Sequence, residues 1–149
     1  TGCRDSIASG RARALLVNSG NANAFTGSQG MRDVRWSARR TAKALACRPG
    51  AVLVASTGVI GEPLPVDRID TVFPRLVRDL GNASWYQAAQ AITTTDTFAK
   101  GAYRRCRIGD TEITIAGIAK GSGMIAPDMA TMLARSEEHT SDLQSQAYL

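Results

Sequence analysis

A mixed α/β fold is what the apolar patterning predicts. Short apolar runs of strand type alternate with longer stretches whose apolar residues recur at helical spacing, and a two-residue Gly-Asp break separates two further strand-like runs. The first strand is ALLVN at residues 14–18 and the second is AVLVAS at residues 51–56, each short, apolar and followed by a glycine-bearing turn. Between them, residues 32–47 carry Val34, Ala38, Ala42 and Leu45 at helical spacing, and Pro49-Gly50 ends the segment. Residues 66–80 repeat that pattern with Ile69, Val72, Phe73, Leu76 and Leu80, with a kink expected at Pro74. A shorter helix is expected at 87–92, running into the polar turn TTTDT. Strands at 102–108 and 111–119 then form a hairpin across Gly109-Asp110. The second of these alternates Ile113 and Ile115 with Thr114 and Ala116, and delivers Lys120 at its end.

Composition narrows the function classes. The chain has 149 residues, 44% of them hydrophobic, which is enough to bury a core for one domain or part of one. Neither a transmembrane run nor a secretory signal is visible, so a soluble, cytoplasmic protein is expected. Cys3, Cys47 and Cys106 are odd in number and far apart, which fits reduced thiols better than a disulfide framework or a zinc site. The net charge is +5, and fifteen of the eighteen basic residues are Arg. They are scattered over helical stretches with only Trp36 and the Trp85/Tyr86 pair nearby, so no nucleic-acid platform emerges; a solvated face, or attraction for an acidic amino acid, is the plainer account.

Residues 117–133, GIAKGSGMIAPDMATML, carry the chemistry. Spaced glycines and Pro127 favour a bent backbone, and the segment ends in a small residue before a hydroxyl residue, Ala130-Thr131. A threonine hydroxyl that attacks the preceding carbonyl gives an ester, and hydrolysis of that ester frees Thr131 as a new N-terminus. Its α-amino group, with an ordinary pKa of about 7.7–8.0, is then the general base for its own hydroxyl. Ala-Thr alone is a common dipeptide, and Met124, Ile125, Met129, Met132 and Leu133 also fit a plain core around a loop.

Three other segments, NSGNANA at 18–24, STGVIG at 56–61 and AITTTDT at 91–97, stand in order before AKGSGMIAPDMATML. Together the four resemble the amino-terminal half of the ornithine acetyltransferase (glutamate N-acetyltransferase) family of arginine biosynthesis, over most of residues 18–133. The resemblance implies a layered αββα sandwich, shared with self-cleaving N-terminal-nucleophile-like aminopeptidases and present here only in part. It implies cleavage between Ala130 and Thr131, with Thr131 as the nucleophile that takes acetyl from N-acetylornithine and passes it to glutamate. Thr57 and Gly58 match the pair that stabilises the oxyanion, and Thr94 and Lys120 match substrate-binding positions beside Thr131. A hydroxyl and a fixed cation suit the carboxylate or acyl oxygens of an amino-acid derivative.

No metal and no resident cofactor are implied; acetyl-CoA enters only as a further co-substrate. The partners implied are the two amino-acid substrates and the α and β chains of one precursor, two of each, with neither nucleic acid nor membrane. The alternative on the same scaffold is an amidohydrolase or aminopeptidase, with water in place of glutamate. A non-catalytic anion- or nucleic-acid-binding module would rest on net charge alone. Asp96 is expected to cap local backbone donors, and Asn18, Asn21 and Asn23 either orient the site or satisfy a glycine-containing loop.

After Leu133 the pattern of that family stops. RSEEHTSDLQS resembles the translated sequence of a sequencing-adapter oligonucleotide, so residues 1–134 are expected to be a partial acetyltransferase domain and 135–149 a non-native tail. The one histidine, His139, lies in that tail, which leaves no Ser/His/Asp or Cys/His arrangement to weigh. An internal fragment of this kind lacks the downstream residues that complete the family's pocket, so the polypeptide by itself is expected to be inactive.

Overall fold

A computed structural model describes residues 7, 8, 10–123, 126 and 128–140. Strand β1 (Ala14–Asn21) leads into helix α1 (Gly27–Ala44), and a 3-10 turn (Pro49–Ala51) leads into β2 (Val52–Val59). Helices α2 (Val66–Arg78) and α3 (Trp85–Ala91) follow, then β3 (Lys100–Ile108), β4 (Thr111–Lys120) and β5 (Leu133–Thr140). β1 and β2 form a parallel pair, while β3, β4 and β5 form an antiparallel sheet in that order. The class is α/β, as the patterning predicts.

Both parallel strands run further than their apolar cores. The ladder continues through Ser19↔Thr57 and Gly20↔Gly58, so Asn18, Ser19, Gly20 and Asn21 belong to a strand and not to a loop. Thr57 and Gly58 likewise lie inside β2 and not in a turn after it. Polar residues sustain a strand here because a neighbouring backbone supplies the hydrogen bonds, and hydropathy does not record that partner.

Helix α1 begins five residues earlier than its apolar spacing predicts, and its buried face is turned by about one residue: Gly30, Asp33, Ser37, Thr41 and Ala42 are buried, while Val34, Ala38 and Leu45 are half-buried. Gly30 leaves room for the turn that precedes the helix, since a Cβ there would lie 2.0 Å from the Thr26 hydroxyl and 2.7 Å from Asn23 Oδ1. Helix α2 keeps its expected start, continues through Pro74, and ends at Arg78, where the Asp79 amide donates to the Arg75 carbonyl. Phe73 is its anchor and is completely buried, worth roughly 1.5–3 kcal/mol of apolar transfer. Arg40 of α1 stacks on the Phe73 ring at 4.5 Å and pairs with Asp70 of α2.

Helix α3 starts at Trp85, ahead of the expected 87, because Ser84 and Gln87 form a reciprocal capping box. Its Ala89 and Ile92 pack on Ile118 of β4, with Val17, Trp85, Ala88, Ala99 and Leu133 around them. The buried face of β4 toward α3 therefore includes Ala116, Ile118 and Lys120, whereas Ile115 is 48% exposed. The β3–β4 hairpin turns at Gly109-Asp110 as predicted, with Ile108 opposite Thr111 and Gly109 at φ +61°. The apolar patterning gives no sign of β5; it pairs from Leu133↔Lys120 to Thr140↔Ile113, passing through Ala134 into residues 135–140.

Candidate active site

The site begins where β1 and β2 come closest. Gly58 has φ +133°, and a Cβ on it would lie 2.2 Å from the Gly20 carbonyl carbon and 2.5 Å from the Asn21 nitrogen. Only glycine fits that contact and that backbone conformation. Thr57, one residue before, is completely buried. Its Oγ1 accepts a hydrogen bond from Lys120 Nζ at 3.1 Å and lies 3.4 Å from the Thr131 carbonyl oxygen, to which it donates.

Lys120 enters from the last position of β4 and is 5% exposed. Besides Thr57 it donates to Thr94 Oγ1 at 2.5 Å. Both partners are neutral hydroxyls, and among the described residues no carboxylate pairs with Lys120. An ammonium has three N–H donors, so one remains without a protein partner among the described residues. A buried cation held only by hydroxyls favours an anionic or strongly polarised oxygen as its next neighbour.

Thr94 sits in the exposed turn after α3, and Asp96 holds that turn in place. Asp96 Oδ1 accepts from the Gly121 amide at 2.7 Å and from Lys100 Nζ at 2.6 Å, while Oδ2 accepts from the Thr94 amide at 3.3 Å. The Lys100 hydrogen bond, then the Gly121 amide, pull its carboxyl well below the usual carboxylate range; desolvation opposes them, and the Thr94 amide adds to the pull. Asp96 therefore caps a local donor, as expected, and also reaches across to β4. No pattern in the sequence marks the Gly121 contact, since 25 residues separate the two partners.

The amide nitrogens of the asparagines serve backbone carbonyls. Asn18 Nδ2 donates to the Asn21 carbonyl, Asn21 Nδ2 to the Glu62 and Pro63 carbonyls, and Asn23 Nδ2 to the Gly30 carbonyl. Asn18 Oδ1 also accepts from the hydroxyl of Ser56, the residue before Thr57, at 2.6 Å, so the asparagines both satisfy local backbone and brace the strand that carries Thr57. Thr57, Thr94, Lys120 and Thr131, from four separate segments, are thus joined by hydrogen bonds. Ala130 is exposed and Thr131 half-buried, so the Ala130-Thr131 bond lies at the surface of the described residues. Met129 and Met132 are exposed rather than core, while Met124, Ile125 and Pro127 lie outside the described residues. Cys47 and Cys106 are free thiols, and Cys3 lies outside the described residues. Among the described residues, no cluster of three or more His, Cys, Asp or Glu is placed to hold a metal, and no helix is long and apolar enough to cross a membrane.

Comparison with known proteins places the chain in a family. The ArgJ family profile matches residues 1–140. The arginine biosynthesis bifunctional protein ArgJ of Mesorhizobium japonicum is 53% identical over 131 residues, which is 88% of this chain and 32% of that protein. Its counterpart from Gluconobacter oxydans is 54% identical over 132 residues, 89% of this chain and 31% of that protein. The chain thus spans about a third of the length of the curated relatives it matches. The crystal structure of the bifunctional protein ArgJ from Bacillus halodurans superposes with a TM-score of 0.73 at 34% identity, covering 89% of this chain and 68% of that one. The chain belongs to the ArgJ family.

Proposed function

We propose that this chain is the amino-terminal part of a glutamate N-acetyltransferase of arginine biosynthesis, which moves acetyl from N-acetylornithine to glutamate through Thr131. What supports the reading is the convergence of Thr57, Thr94 and Lys120 on one another, with Thr57 at the Thr131 carbonyl across 74 residues of sequence. Thr131 Oγ1 first attacks the Ala130 carbonyl carbon; the Ala130–Thr131 amide breaks, an ester forms, and water hydrolyses it to an Ala130 carboxylate and a free Thr131 amine. That amine takes the hydroxyl proton as Thr131 Oγ1 attacks the acetyl carbon of the donor. The tetrahedral oxyanion is held by Thr57 and the Gly58 backbone, with Lys120 behind the Thr57 hydroxyl. Collapse transfers the proton to the leaving ornithine nitrogen and leaves acetyl-Thr131, which the glutamate amine then attacks to give acetylglutamate and restore the hydroxyl.

Thr94 and Lys120 bind the donor in this scheme. Neither metal nor resident cofactor takes part, acetyl-CoA is a second donor to the same hydroxyl, and the α and β chains assemble as two of each in the cytoplasm. The test uses a complete chain, of the relatives' length, carrying this segment, with N-acetylornithine and glutamate as substrates. The parent is expected to split into two chains and to form acetylglutamate and ornithine in equal amounts. Thr131→Ala is expected to stay intact and to lose a factor of about 10³ or more in turnover. Release of acetate without acetylglutamate would make it a hydrolase, and full turnover by an unprocessed Thr131→Ala protein would end the proposal.

A further inference from the structure

Taking Thr94 and Lys120 as contacts to the acyl donor, which rests on the acyl-transfer reading, we propose that Asp96 is the positioning residue that sets the distance between them. One carboxylate accepts from the Thr94 amide and from the amide of Gly121, the residue that follows Lys120. The Lys120 Nζ–Thr94 Oγ1 bond closes the ring from the other side at 2.5 Å. The turn after α3 and the end of β4 therefore meet through the substrate-facing groups and, behind them, through Asp96. Lys100, one-third exposed and lying 4.7 Å from the centre of the Phe98 ring, supplies the counter-charge. The Ser122 hydroxyl also donates to the Thr95 carbonyl at 2.8 Å, but that contact is exposed to solvent, whereas the Asp96 carboxylate is fully shielded.

The chemistry requires a carboxylate of this length. All three partners of Asp96 are N–H donors, so both oxygens must accept. An asparagine, whichever way its amide is turned, points an NH₂ at a donor. A glutamate keeps the charge for Lys100 but carries the oxygens one methylene further out, past the two amides. Ion pairing and positioning are thus separable: Asp96→Glu preserves the first and spoils the second.

Both variants are made in a complete chain carrying this segment, beside the parent and Thr131→Ala, with folding monitored by circular dichroism and N-acetylornithine turnover measured. Asp96→Glu is expected to melt near the parent and to raise KM for N-acetylornithine about tenfold while kcat changes less than about threefold, as loss of a well-placed charge-assisted contact should. Asp96→Asn is expected to raise KM at least as much. Lys100→Gln, which leaves both amide bonds in place, should stay within about threefold of the parent in KM. An Asp96→Glu protein with the parent's KM would overturn the assignment and leave Asp96 as a partner for Lys100 only. If Asp96→Asn does not fold, the Asp96→Glu result decides alone. Activity retained by Thr131→Ala would instead sink the acyl-transfer reading, so the two failures are told apart in one set of assays.

Discussion

The two halves of the candidate site are held by different means. Thr57 and Gly58 are fixed by a parallel backbone ladder, with complete burial at one residue and a glycine-only contact at the next. Thr94 lies in an exposed turn, and what locates it is a set of side-chain hydrogen bonds made by Lys120 and Asp96. The strand half has no freedom to adapt, which suits the stabilisation of a charge that develops at one point. The turn half can be adjusted by changing side chains, which suits recognition of a particular substrate.

Breaking the strand half should cost the most. Gly58→Ala would place a methyl 2.2 Å from the Gly20 carbonyl carbon at a φ that L-residues rarely adopt. Backbone on both sides leaves nothing flexible to yield, so a loss of about 2–3 kcal/mol is expected, enough to separate β1 from β2 locally. Urea denaturation of a complete chain carrying this segment measures it. A loss below about 0.5 kcal/mol would mean that the strands are not in the close register described.

A smaller effect is expected where the turn half is anchored to its helix. α3 is seven residues long, and Ser84 Oγ accepts from the Gln87 amide at 3.2 Å while Gln87 Oε1 accepts from the Ser84 amide at 2.7 Å. Ser84→Ala should cost about 1 kcal/mol. It should also raise hydrogen exchange in the turn at 93–99 more than in β1 or β2, since α3 feeds that turn directly. Equal protection changes in both halves would mean that α3 does not act on the turn in preference to the strands.

How much of this could be read from the sequence also divides along the same line. The strand cores, the β3–β4 hairpin and the position of Lys120 at a strand end follow from local patterning, because Val, Ile and Leu runs and the Gly109-Asp110 pair are short-range signals. The polar ends of β1 and β2 do not, since Asn18 to Asn21 are strand only by virtue of their partner. Helix α1 shows its buried face only in part, because Gly30, Asp33, Ser37 and Thr41 carry no apolar side chain to mark it and only Ala42 does. The Ser84/Gln87 capping signature was present in the chain, yet the apolar spacing pointed two residues further on. Site residues were suggested by the four motifs and their resemblance to a family; the Asp96 link to Gly121 needed the fold, which alone brings those two segments together.

The smallest of the expected effects separates the halves by acidity. Asp96 is held ionised by Lys100 first and by the Gly121 amide second, so its folded pKa lies below its unfolded one of about 3.9. A depressed carboxyl contributes stability that is complete above the unfolded value and is lost as pH falls through the folded one. The gap in urea midpoint between the parent and Asp96→Asn should therefore be constant from pH 7 to about pH 5 and shrink as the pH is lowered further. Gly58→Ala changes no ionisable group, and its gap should stay level over the same range. If the Asp96→Asn gap were as flat as that of Gly58→Ala, the turn half would not depend on the charge of Asp96, and the amide geometry alone would have to hold Thr94 against Lys120.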